Sequence, residues 1–196
     1  MRIMSVYLPI VERASQKLVL QSIPDRGDRR IAADELNSDM LRRLVAHWEA
    51  MRLGRPMPSR GDLRPEDIAF ALGHVMLVDI HWPSAATEAS DPTFRFRLVG
   101  THIEATGHRG LTGRWAHELQ PAFYREAVLR AYGEAAVEGL PSIRRIRYAS
   151  GGNQLRYERV ALPLSSHGGA ADTLVIGSDW ELANRDFFRT WVPLDS

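Results

Sequence analysis

The sequence predicts an α+β domain: one curved, five-stranded antiparallel sheet, helices on one face, and an amphipathic helix ahead of it. Three observations carry that prediction. Segments rich in β-formers fall in two blocks, two segments before the middle of the chain and three after it. Apolar residues at helical spacing mark one stripe ahead of the first block and another between the blocks. Glycine and proline punctuate the joints. Helical material lying between blocks of strands is the pattern of an α+β domain.

Residues 1–33 form an extension with two short strand-like patches, 5–10 and 18–23, closed by the turn Pro24-Asp25-Arg26-Gly27-Asp28. The first strong element follows over 34–53. Leu41, Leu44, Val45, Trp48 and Met51 share one helical stripe, Asp34, Ser38 or Asp39 can cap its start, and Gly54 and Pro56 end it. That stripe serves either as intramolecular core or as a dimer seam, and its place ahead of a sheet favours the seam. Pro65, Glu66 and Asp67 open a short helix through Leu72, since proline and acids suit a first helical turn. Two neighbouring antiparallel strands come next, 74–82 and 94–99, joined by a polar, proline-bounded loop at 83–92. Glycines 107, 110 and 113 break the stretch that follows into short turns. Pro121 opens a long helix to Glu138, with Tyr124, Val128, Leu129, Tyr132 and Ala136 on one face. Strands at 142–149, 155–164 and 173–181 complete a meander, and a tail at 184–196 carries Phe187, Phe188 and Trp191. The domain is therefore expected over 34–183.

Composition narrows the function classes. A chain of 196 residues with 44% hydrophobic and 25% charged residues holds enough apolar material for a core of its own. Net charge is +1, so no overall field draws it to nucleic acid or to an anionic membrane. The basic run Arg144, Arg145, Arg147 alternates with apolar positions and reads as a solvated sheet face. There is no cysteine, which removes disulfides, thiolate nucleophiles and cysteine metal ligation together and suits a reducing cytoplasm. No apolar run reaches the length of a membrane span.

Four strings carry a family resemblance. Phe96-Arg97-Leu98-Val99-Gly100-Thr101 looks like a strand running into a first short helix. The stretch 107–114 (GHRGLTGR) resembles the turn after it. Arg159-Val160-Ala161-Leu162-Pro163-Leu164 and 174–180 (LVIGSDW) resemble the last two strands. Together, in this order over about 73–181, they resemble the PAS sensor domain, and specifically the single-domain PAS-like proteins of alphaproteobacteria. The resemblance implies a PAS-like fold whose helices wrap one sheet face and enclose a pocket for a small ligand or cofactor. It also implies dimerisation through the outer sheet face and the N-terminal helix.

Candidate chemistry is sparse. A flavin or other chromophore bonded through a thiol is excluded by the missing cysteine, and the cofactor stays unassigned. The long helix has no histidine to ligate haem, and His102, His108 and His117 make no compact metal motif. There is no G-x-S-x-G elbow and no P-loop. What remains is a pocket: Trp115, His117, Tyr124 and Tyr132 as wall residues, with Asp79 and Ser178 as polar groups on strands. The same aromatics also suit a plain core. The expected function is a cytoplasmic, non-enzymatic sensory or regulatory protein that takes a small ligand or a signalling partner and signals through a homodimer or partner contact. No nucleic acid and no membrane enter. The rival reading is a small curved-sheet isomerase or dehydratase using an Asp–His acid/base pair, with Asp79 and a nearby histidine as that pair.

Overall fold

A computed structural model describes residues 27–84, 91–106, 110–150 and 153–183. The expected strands at 5–10 and 18–23, the tail at 184–196, most of the 83–92 loop and His108 lie outside the described residues. The strands are β1 (Gly27–Arg30), β2 (Val75–His81), β3 (Thr93–Val99), β4 (Ser142–Ser150), β5 (Asn153–Leu164) and β6 (Thr173–Ala183). They form one sheet in the order β1-β4-β5-β6-β2-β3, every neighbouring pair antiparallel. Among the described residues three α-helices accompany it: α1 (Asp39–Arg52), α2 (Thr101–Ala105) and α3 (Ala122–Glu138).

The five expected strands are present, and a sixth joins them. The described end of the expected N-terminal extension is strand β1, paired with β4 through Gly27↔Arg147 to Arg30↔Arg144. Its sequence, Gly-Asp-Arg-Arg, has no β-former, so its strand character comes from its partner rather than from local propensity.

The sheet is covered on both faces. On the inner face, α3 packs Tyr124, Val128, Ala131, Tyr132 and Ala135 against Ile146, Tyr157, Ala161, Leu174 and Ile176. Ala127, Ala131 and Ala135 recur every four residues, so the helix meets the sheet along a row of small side chains. On the outer face, Leu41, Leu44 and Trp48 of α1 are buried against Val160, Leu162 and Val175. The amphipathic stripe is therefore intramolecular core, and the dimer seam expected of it is not available. Periodicity gives the apolar side of a helix and says nothing about what covers it.

Three contacts seat α1. Ser38 caps it by accepting from the Leu41 amide at 3.2 Å, and its hydroxyl donates to Asp179 at 2.5 Å. The Glu158 carboxylate accepts the Asn37 and Ser38 amides at 2.8 and 3.0 Å. The helix thus starts at Asp39 rather than Asp34, because Ala33–Glu35 make a separate 3₁₀ turn. At the other end, the Trp48 indole donates to the Pro163 carbonyl at 2.7 Å. Pairing of β5 with β4 ends at Ser142↔Ala161, so Pro163 lies where its missing N–H breaks no β4 ladder bond.

The expected short helix is a 3₁₀ segment, Pro65–His74, with Ile68 and Ala71 buried on the α1 side. It ends where β3 runs into α2, and there the backbones nearly touch. A Cβ on Gly100 would lie 2.5 Å from the Gly73 carbonyl oxygen. Only glycine fits this crossing without moving the main chain.

Candidate functional site

Alternation along the strands decides which side chains meet beneath α3. On β5, Tyr157, Arg159 and Ala161 face inward, while Glu158 and Val160 face α1. On β6 the inward set is Leu174, Ile176, Ser178 and Trp180, and Ser178 lies directly across from Arg159. On β4 it includes Arg144 and Ile146, and Asp28 on β1 is registered opposite Ile146.

Arg159 sits at the centre with its side chain 3% exposed. One guanidinium nitrogen donates to the Tyr157 hydroxyl at 3.4 Å and another to the Ala127 carbonyl at 3.4 Å. The guanidinium carbon stands 5.7 Å from the Tyr132 ring centroid and 5.9 Å from that of Tyr157, within cation–π range. Its Nε has no hydrogen-bond partner among the described residues. Tyr157 stacks on Trp180 with centroids 4.0 Å apart, and Tyr132 meets Phe94 edge-on at 5.6 Å.

Burial sets the protonation of the tyrosines. It pushes Tyr132 up to about 12 against the opposing pull of Arg159. Burial also drives Tyr124 well above its ordinary value, helped by Tyr157. Both stay neutral near pH 7, with their O–H groups intact. For Arg159 burial works against the charge, but Tyr157, Tyr132, Asp28 and Tyr124 outweigh it and hold the guanidinium above its usual value. The site is a cation in an aromatic box, lined by proton donors.

The acidic partners come from β1 and α3. Asp28, with its side chain 1% exposed, lies 3.4 Å from Arg144, 3.5 Å from Arg130 and 3.7 Å from Arg159. Arg144 also pairs with Glu134, and Arg30 pairs with Glu138 at 2.7 Å.

Of the six residues expected to line the pocket, Tyr124, Tyr132 and Ser178 are brought together here, all buried. The other three are not. Asp79 falls on the face away from α3, since Met76, Val78 and Ile80 take the inward positions of β2; it pairs with Arg97 at 2.7 Å and Arg60 at 3.9 Å. Trp115 bridges to Arg95 at the β3 edge and is half-buried, with His81 against its ring at 4.9 Å. His117 is exposed and stacks on Trp115 at 6.0 Å. Nor do the loop histidines gather: His102 stacks on His74 at 4.3 Å, away from His117. Arg144 is buried rather than solvated, as its inward register against α3 requires.

Sequence reasoning missed Arg159, Tyr157 and Asp28. The spacing Tyr157-x-Arg159 opposite Ser178-x-Trp180 was the available signal, because period two places all four on one face. Asp28 had no signal of its own.

The match to known families rests on this same region. A family model described as PAS domain matches residues 36–178, most of the chain. The chain belongs to the PAS domain family. Searches of curated proteins and of solved structures each found no significant match. The PAS match spans α1, α3 and β2 to β5 in full and the first half of β6; β1 precedes it. Among the described residues, no helix of this PAS protein is long and apolar enough to cross a membrane.

Proposed function

We propose that this PAS protein is a sensory regulator whose signal is a small molecule held between α3 and the inner sheet face, at Arg159 and its tyrosines. PAS domains are typically sensory rather than catalytic, and commonly bind ligands or mediate dimer and partner contacts. The observation that carries the reading is Arg159 itself. A fully buried guanidinium is costly unless its N–H groups are matched, yet its hydrogen bonds are long and its Nε has no partner among the described residues. A ligand acceptor seated there completes the set. The domain extends from β1 to β6, and its output passes to a second copy or to a signalling partner through a surface other than the buried α1 stripe. The absence of cysteine fits work in a reducing cytoplasm. Against the rival enzymatic reading, Asp79 of the nominated Asp–His pair is tied to Arg97 and Arg60 on the opposite face.

Native mass spectrometry of the purified protein, set against its denatured mass, tests the reading. A retained extra mass that disappears in Arg159→Met supports it. A bare native species, combined with no thermal stabilisation by any member of a metabolite panel, overturns the ligand half. The same spectrum reads whether the protein is a homodimer.

A further inference from the structure

One end of the molecule carries large apolar side chains in solvent. Val137 and Leu140 at the end of α3, Trp82 just past β2, and Met57 line one open groove of about 410 Å³. Val137 is 68% exposed, and Leu140 and Trp82 are exposed as well. The Trp82 indole donates to the Ala171 carbonyl at 2.6 Å, which fixes its ring as a wall.

The turn that borders this groove holds a strained residue. The Arg55 amide donates to the Arg52 carbonyl at 2.9 Å, so Leu53 and Gly54 occupy the two central positions. Arg52 and Pro56, on either side of them, line the groove. Leu53 has φ 48° and ψ 40°, in the left-handed region that a Cβ disfavours and glycine enters freely. Its side chain is nevertheless 83% exposed. Within one copy, a leucine here gains no burial and strains the backbone. A surface arriving from outside would bury it.

The two walls of the groove differ in sign. α1 ends in Arg52. α3 ends in Glu138 with no basic residue in its last turn, so its carbonyl end and that carboxylate make one negative wall. Arg52 pairs with Glu49 at 2.8 Å and Glu138 with Arg30 at 2.7 Å, and all four side chains keep contact with solvent. A partner of uniform sign meets repulsion at one wall. A second copy, related by a two-fold axis, lays its Arg52 wall on the other's Glu138 wall and meets attraction twice.

We propose that this end of the molecule is a homodimer interface, in which Leu53 enters the partner subunit's groove and Arg52 faces the partner subunit's Glu138. The surface is distinct from the outer sheet face, which α1 covers. It engages α3, the helix that also carries Tyr124 and Tyr132, so a displacement of α3 by a ligand bears on the contact. For that purpose the proposal rests on the sensory reading: it names the surface through which the signal leaves.

Sedimentation equilibrium of the full chain tests it. Wild type is expected to form a reversible, concentration-dependent dimer. Leu53→Gly relieves the backbone, so it weakens the dimer at least about tenfold while the dilute monomer melts no lower than wild type. A leucine serving only its own fold gives the reverse. Val137→Glu weakens the dimer as well. Arg52→Glu and Glu138→Arg each weaken it alone, and their equimolar mixture recovers it, because only the mixed pair sets opposite charges at both contacts. Circular dichroism checks that each variant folds; if a charge variant does not, Leu53→Gly and Val137→Glu decide. A wild-type monomer at every concentration overturns the proposal. So does a dimer of undiminished strength in Leu53→Gly or Val137→Glu, or two folded charge variants whose mixture stays monomeric. A monomer with a retained mass that Arg159→Met loses leaves the sensory reading standing and removes this one. A dimer with these responses and no ligand does the converse.

Discussion

At Arg159 and Asp28 the energetics are asymmetric. Removing Arg159 leaves Asp28 with two other arginines, Arg130 and Arg144. Removing the charge of Asp28 leaves a buried guanidinium with no carboxylate within ion-pair distance among the described residues. Asp28→Asn is therefore expected to cost about 3–5 kcal/mol and Arg159→Met about 1–3 kcal/mol. Urea unfolding of the two variants checks the order, and the reverse order would show that Asp28 is not the counter-ion of Arg159. The tyrosines give a pH signature. Tyr132 has a folded value near 12 against a reference of 10.0, and Tyr124 is also raised, both chiefly by burial. The unfolded chain ionises these groups first, so their contribution is fully present below pH 10 and is lost as pH rises toward 12. The Tyr132 shift alone is worth up to about 3 kcal/mol. Stability measured at pH 9 and pH 11 should fall, and Tyr132→Phe should blunt the fall.

Among the elements, α1 was the most legible in the sequence and β1 the least. Leu41, Leu44 and Trp48 declare a helix face by spacing alone. Whether that face met a second molecule or this sheet depended on the outward residues of strands more than 100 positions away, such as Pro163, which accepts the Trp48 indole bond. The pocket residues divide for a similar reason. Tyr124 and Tyr132 sit on a long helix whose period fixes their direction. Asp79 was placed on the wrong face because a near-continuous apolar run, Val75 to Ile80, hides the strand's alternation. β1 was invisible since a four-residue polar strand is specified by its pairing partner.

The close crossings at this scale give two further tests. Gly177 lies under α1, where a Cβ would come 2.7 Å from Leu44, 2.9 Å from Leu41 and 3.0 Å from Val160. Those are side-chain tips, which give way at a cost of about 1–3 kcal/mol. At Gly100 the obstacle is the backbone of Leu72 and Gly73, which has no rotamer to change. Gly100→Ala should therefore destabilise more than Gly177→Ala in thermal melts. Equal or inverted losses would mean that the 3₁₀ segment shifts freely against α2.

For the whole molecule, the division of labour is between a scaffold and an edge. Helices on both faces leave the central strands buried on each side, with core clusters around Tyr132 and around Trp48. β1 adds a charged residue to that body rather than core. A chain beginning at residue 31 should keep the α+β signature in far-UV circular dichroism while melting at a lower temperature. Loss of the signature itself would make β1 part of the folding unit. The PAS fold was readable because its elements follow one another in sequence. The site was half readable because it gathers residues from the chain start, one helix and three strands.

The family match begins at Leu36, while the carboxylate that closes the charged layer comes from Asp28. The three arginines that Asp28 meets lie within the matched residues, and their shared carboxylate comes from outside them. A substitution at Asp28 alone can thus change the charge balance of the interior without altering any residue of the matched span.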